Sequence, residues 1–226
     1  HGPTYLPYYN RINITNSINE GLVEYWGIRS YSKTSLLDTC HLNTLWLERY
    51  LEYVGILNTP DDYPISEIDE HKGGPYVLWY YKVALVLNLL DYQISKSTGN
   101  QKSIDDVFSH LQKTYGGAVG FHKISLEEIL ETTNLVTGYD FTKFFSEYIY
   151  DVIPLPYKVT NSTLIIDDSS LPEIPRLAPE IDIKANDSDS LLSLTSGTPA
   201  SITVSLDPGN LSTQNADWWV AQATPS

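Results

Sequence analysis

Hydrophobic residues recur with a helical period over the first two thirds of the chain. The clearest set is Leu36, Leu37, Cys40, Leu47, Leu51 and Val54. Charged residues lie between these positions, so the pattern predicts an amphipathic helix. Together with capping signals, such patterns place helices near 17–31, 35–55, 75–95, 103–115, 125–133 and 140–149.

Two features sharpen these helix predictions. Ser17-x-x-Glu20 and Ser125-x-x-Glu128 fit the capping box that begins many helices. The longest apolar run extends from Pro75 to Leu90 and is interrupted by Lys82 and Asn88. It is shorter than the roughly 20 residues that a membrane span needs, so we expect a buried core helix and no transmembrane segment.

The composition changes beyond Ile153, where proline, serine and aspartate become frequent. Residues 158–166 alternate like a strand, and the acidic stretch 171–196 is typical of a linker. Residues 200–206 and 216–223 are further strand candidates around a Pro-Gly turn signal.

We therefore expect a mainly α fold in three parts. A helical domain is predicted over 1–153, and a strand with a Pro/Ser/Asp-rich linker over 154–196. The beginning of a β module is predicted over 197–226 and is expected to be truncated, because two strands alone are too few for a stable sheet.

Charge and cysteine content exclude some functions. Fourteen Lys plus Arg face 28 Asp plus Glu, which gives a formal net charge of −14 and opposes binding to nucleic acid. Cys40 is the only cysteine, so neither an intrachain disulfide nor a Cys-rich zinc site can form. We expect Cys40 to be a small core residue.

Several indirect signs favour an extracellular or cell-envelope location. The chain has few lysines, one cysteine and a linker-like stretch before an apparent β module. It also carries four N-glycosylation sequons, at Asn13, Asn161, Asn186 and Asn210. These sequons are used only in a eukaryotic secretory setting.

The most informative segment is Ile18-Asn19-Glu20-Gly21-Leu22-Val23-Glu24-Tyr25. It resembles the segment of aminopeptidase N-like zinc metallopeptidases (gluzincins) that carries the third zinc ligand. In that family eighteen residues separate the ligand Glu from the second His of an H-E-x-x-H motif. His1 and Glu20 have this separation.

The resemblance implies a zinc site built from His1, Glu20 and a further His that would precede residue 1. Zinc in catalytic sites takes three protein ligands and leaves one position open for water. The general base would also precede residue 1, so the resemblance implies an incomplete, inactive helical C-terminal lobe of a thermolysin-like domain. The simpler alternatives are a terminal His1 without a role and a Glu20 that only caps a helix with Ser17.

A second resemblance lies in Trp79-Tyr80-Tyr81-Lys82-Val83-Ala84. The same family has a Tyr-x-Lys-Gly-Ala pattern whose Tyr donates a hydrogen bond to the oxyanion formed on the substrate, and Tyr80 occupies that position. The simpler alternative makes Tyr80 one more core aromatic. Val83 replaces the usual Gly, and Gly2-Pro3 after His1 also departs from the family pattern, which leaves the loop path and substrate range open.

The remaining matches concern packing or are negative. Segments 125–131 and 137–150 resemble the closing helices of the family, which are packing elements. His41, His71, His110 and His122 have no metal-ligand spacing and are expected at or near the surface. His41 with Glu48, and His110 with Asp106, are helical neighbours that could share hydrogen bonds.

Two hypotheses follow for the function. In the first, the parent protein is a zinc aminopeptidase whose substrates are peptides or proteins. In the second, this is a non-catalytic helical binding or scaffold domain of a secreted or surface protein. A His-Glu-x-x sequence directly before His1 in the parent would favour the first hypothesis.

Overall fold

The structure is a computed structural model that describes residues 13–14, 16–71, 74–116, 123–177, 180–185 and 202–207. It is mainly helical, as the sequence predicts. The α-helices of the described residues are α1 (Asn16–Lys33), α2 (Thr39–Val54), α3 (Val83–Ser97), α4 (Ile104–Tyr115), α5 (Leu126–Thr137) and α6 (Thr142–Tyr148). A 3-10 helix covers Ile65–Glu70, and a π-helix, Leu78–Lys82, runs directly into α3.

The chain divides into two compact units, residues 1–174 and 175–226. Helix α3 forms the centre of the first unit, and residues Val83, Leu85, Leu89 and Ile94 on it are fully buried. The prediction of a buried helix in the long apolar run is therefore confirmed. None of the helices formed by the described residues is long and apolar enough to cross a membrane.

The two predicted capping boxes have different outcomes. Ser125 and Glu128 form a capping box at the start of α5. At α1 the prediction is wrong, because Ser17 lies inside the helix and its backbone N–H donates to Asp69 Oδ1 at 2.9 Å. Asn16 N–H donates to the other oxygen of Asp69, also at 2.9 Å. A carboxylate from the 3-10 helix therefore caps α1.

Helix α2 forms as predicted, but its predicted apolar side is not the buried one. Leu36 before the helix is 71% exposed and Leu51 is 54% exposed. Cys40 is also exposed, so the prediction of a core cysteine is wrong. The helix packs through a different set, the aromatic residues Trp46, Tyr50 and Tyr53.

The predicted strand 158–166 is a hairpin of two strands, β3 (Tyr157–Thr160) and β4 (Thr163–Ile166). The two-residue turn uses Asn161 and Ser162, both with positive φ, at 50° and 60°. Such a turn matches the twist of the flanking strands. The side-chain amide of Asn43 on α2 bonds to Ser162 O and Leu164 N–H, which fixes the hairpin on the helix.

The predicted linker over 171–196 is not all linker. Its first residues belong to the first unit, where Leu171 and Ile174 pack against the core and Gln93 donates to Pro172 O at 2.9 Å. In the second unit, β5 (Glu180–Ala185) pairs antiparallel with β6 (Ile202–Asp207). The strand predicted at 200–206 is thus confirmed, whereas the one at 216–223 lies outside the described residues.

Two further strands are short. β1 (Asn13–Ile14) lies directly before α1, and β2 (Lys123–Ile124) directly before α5. They pair in parallel, with Asn13 opposite Lys123 and Ile14 opposite Ile124. This pair connects the two chain segments that lead into helices α1 and α5.

Candidate functional site

Glu20 lies in the second turn of α1 and is partly buried. Because Asp69 caps this helix, Glu20 is not needed as the capping acid. Among the described residues no Lys, Arg or His forms an ion pair with Glu20. Its carboxylate therefore has no cationic partner in the described part of the chain.

Tyr80 lies in the middle of the π-helix, sixty positions further along the chain, and interacts with Glu20. The Glu20 carboxylate, first as a hydrogen-bond acceptor and then through its charge, raises the pKa of Tyr80, and desolvation adds to this shift. The two candidate residues drawn from separate sequence segments thus lie together. Single π-helical turns inside α-helices are frequent at functional sites.

Gly21 explains how α1 and the π-helix come so close. A Cβ atom at Gly21 would overlap the side chain of Val83 and would lie 3.2 Å from the backbone nitrogen of Ala84. Only glycine leaves room for this approach.

Lys82, at the end of the π-helix, is 1% exposed. Its ammonium group donates to Asp62 Oδ1 at 2.7 Å and to Tyr63 O at 2.6 Å, and it lies 5.7 Å from the centre of the Tyr53 ring. Burial lowers the pKa of Lys82, while the bond to Asp62 opposes this shift. Removing one partner of such a buried pair typically costs about 3–5 kcal/mol.

The buried position of Lys82 was not predicted from the sequence. The signal was present, however, since a lysine interrupts an otherwise apolar run that becomes the central helix. A charged residue inside a core helix needs a buried partner. Asp62, the partner, lies in a loop twenty positions earlier and has no sequence pattern that marks it.

A second contact lies beside Glu20 and Tyr80 and involves Glu24 on α1 and Tyr81 on the π-helix. Arg49 donates to Glu24 Oε1 at 2.7 Å, and its guanidinium lies 4.9 Å from the centre of the Tyr81 ring. Glu24 is one turn after Glu20 on α1, and Tyr81 follows Tyr80. Glu24 is thus neutralised by an arginine.

The three histidines that the structure describes form no metal site among themselves. His1 and His122 lie outside the described residues. His41 is exposed and pairs with Asp38 at 2.8 Å, not with Glu48, and His71 stacks on Tyr63 with ring centres 3.6 Å apart. The described part of the chain contains no cluster of three His, Cys, Asp or Glu that could hold a metal ion.

A cavity of about 220 Å³ lies between α1, α2 and α3 and does not involve Glu20 or Tyr80. Several of its polar side chains have partners in the protein. Tyr25 donates to Asp91 Oδ2 at 2.6 Å, and Arg29 pairs with Asp105 at 2.9 Å. These bonds connect α1 to α3 and α4, so the cavity is lined by a structural network.

Comparison with known proteins gives no identification, since no protein-family model matches the chain and a search of curated proteins returns no significant match. The chemistry must therefore be inferred from the site. A carboxylate without a cationic partner can bind a metal ion. A protonated phenol beside it can donate a hydrogen bond to a developing negative charge.

Proposed function

We propose that this chain is part of a zinc-dependent metallopeptidase of the aminopeptidase N-like type, which hydrolyses peptide bonds. One observation carries the proposal. Glu20 and Tyr80 were selected from separate sequence motifs, for a metal ligand and for an oxyanion donor, and their side chains interact.

In this proposal Glu20 and His1 are two of the three zinc ligands. When bound, zinc supplies a Lewis acid that lowers the pKa of water and polarises the substrate carbonyl. The donor chemistry of Glu20 fits, because its carboxylate is partly exposed and no cation among the described residues neutralises it. Peptides or proteins are the substrates, and an extracellular or cell-envelope location belongs to the same proposal.

Tyr80 is the oxyanion donor. Its raised pKa keeps the phenol protonated at neutral pH, so it has a proton to donate. The phenol beside Glu20 can turn to the substrate carbonyl oxygen as negative charge develops there. Such a bond is stronger in the transition state than in the ground state and therefore lowers the barrier.

The test uses the complete protein, its zinc content and its hydrolysis of amino-acid anilides. Glu20→Gln should reduce the zinc content, and Tyr80→Phe should keep the zinc but lower kcat by about 10²–10³-fold. Glu24→Gln and Tyr81→Phe are matched controls, because they change the neighbouring glutamate and tyrosine. Unaltered zinc binding in Glu20→Gln, or hydrolysis that survives chelators, would refute the proposal.

A second candidate function, a non-catalytic binding or scaffold domain, is supported by the exposed apolar side of α2. Leu51 and Val54 on this helix and Leu36 before it are all exposed. Leu51 and Val54 are about one helical turn apart, and neighbouring exposed apolar residues often mark protein interaction sites. Full zinc occupancy and turnover in the complete protein would reject this function as the primary one.

A further inference from the structure

We propose that Lys82 is a positioning residue, which holds the π-helix so that Tyr80 meets Glu20. This inference deepens the proposed function, and its meaning for catalysis rests on that function. The proximity of Tyr80 and Glu20 can, however, be tested by itself, with neither metal nor substrate added.

Buried polar bonds hold the Lys82 side chain firmly in place. Lys82 is inserted into the core and bonds there to Asp62 and to the carbonyl of Tyr63. The carboxylate of Asp62 is itself buried, so the ion pair is shielded from water and cannot exchange easily with solvent. These bonds connect the end of the π-helix to the loop before the 3-10 helix.

The side chains of Lys82 and Tyr80 point in roughly opposite directions from the π-helix. Residues two positions apart on a helix point to roughly opposite sides. Lys82 points into the core toward Asp62, while Tyr80 reaches Glu20 on α1. Fixing Lys82 on one side therefore fixes the rotation of the π-helix and, with it, the direction of the Tyr80 phenol.

The π-helix is also held on the side that faces α1. Gly21 allows α1 to touch Val83 and Ala84, directly after Lys82. The π-helix thus lies between a close backbone contact and a buried ion pair. A helix rotation that moved Tyr80 away from Glu20 would have to break one of these contacts.

The experiment places 3-fluorotyrosine at position 80 of the full chain and records its ¹⁹F signal. In the otherwise unchanged chain, Glu20→Gln should shift the signal, because the ring senses the carboxylate. In the double variant Asp62→Asn/Lys82→Met, the Glu20-dependent shift should be lost. The double variant is preferred because Lys82→Met alone leaves Asp62 charged and unpaired in the core, which strongly destabilises the fold.

Lys96→Met is the matched control, since Lys96 lies on α3 and pairs with Asp168 at the surface. It should keep the Glu20-dependent shift. Circular dichroism checks that every variant retains its helices. If the double variant is folded and still shows the Glu20-dependent shift, Lys82 serves only core stability and the inference is wrong.

The outcome is separable from that of the proposed function. Loss of the Glu20-dependent ¹⁹F shift supports the positioning role even if zinc binding is absent. In an active complete protein, the Lys82 substitution should lower kcat more than it changes KM. It should also add little to the effect of Tyr80→Phe, because both changes remove the same interaction.

Discussion

Glu20 and Lys82 show how differently two charged side chains are held in neighbouring helices. Lys82 is buried, and its charge is balanced by Asp62. Glu20 is partly exposed and meets a neutral phenol in place of a cation. A balanced, buried charge fixes a position, whereas an unbalanced carboxylate can still bind a cation. This difference makes Glu20 the ligand candidate and Lys82 the anchor.

Asp167 provides a pH test at the scale of single residues. Lys158 Nζ lies 2.6 Å from Asp167 Oδ2, and this bond, with those from the Ser169 and Ser170 hydroxyls, lowers the pKa of Asp167 to about 2. The unfolded value is about 3.9. Because the folded value is the lower one, the stabilisation is complete above about pH 4 and is lost as the pH falls through about 2.

We therefore expect Asp167→Asn to lower the urea midpoint at neutral pH by a small amount, since Lys158 is exposed and solvent screens the pair. The difference from the unchanged chain should shrink as the pH approaches 2. Lys158→Met should reproduce most of it. A difference between Asp167→Asn and the unchanged chain that is the same at every pH would contradict the assignment.

At the scale of elements, periodicity predicted the helices well because the signal repeats over several turns. Periodicity predicted the wrong buried side of α2, because this helix carries two rows of apolar residues. The aliphatic stripe with Leu51 and Val54 is exposed, while the aromatic stripe of Trp46, Tyr50 and Tyr53 packs inward. Period alone gives the spacing of apolar residues, and only tertiary packing decides which side is covered.

The sequence predicted only part of the candidate site, because only some of its residues lie in recognisable local motifs. Short motifs selected Glu20 and Tyr80, because each has a characteristic local sequence. The cap from Asp69 and the anchor of Lys82 on Asp62 join segments that are far apart in the chain. No local pattern encodes such pairings, so they were not predicted.

Two glycines of α1 allow a matched test of the close helix contact. Gly21→Ala should destabilise the fold by about 1–3 kcal/mol, because the added methyl overlaps Val83. Gly27→Ala should stabilise it by about 0.5–1 kcal/mol, because a Cβ there meets nothing within 4 Å and alanine favours helix. Urea unfolding measures both changes. Equal effects of the two substitutions would show that Gly21 is not a contact position.

At the scale of the whole molecule, the excess of negative charge is the main electrostatic feature. The chain carries a formal net charge of −14. Several of its few cations are engaged in local pairs, as Arg29, Arg49 and Lys82 show, so they neutralise their own neighbours. Many acidic groups therefore repel one another across the surface.

This repulsion predicts a salt dependence of stability. Raising NaCl from about 0.01 M to about 0.15 M shortens the Debye length from about 30 Å to about 8 Å. The thermal midpoint should rise, because screening relieves repulsion more than it weakens a small number of surface pairs. An uncharged osmolyte at equal osmolality serves as the control. A midpoint that falls on adding salt would show that attractive pairs outweigh the repulsion.

The exposure of Cys40 at the start of α2 has a practical consequence for the molecule. As the only sulfhydryl of the chain, it can take one maleimide dye or nitroxide without any substitution. A nitroxide on Cys40 would broaden the NMR signals of nearby residues and leave those of distant residues sharp. The native chain is therefore ready for spectroscopic distance mapping.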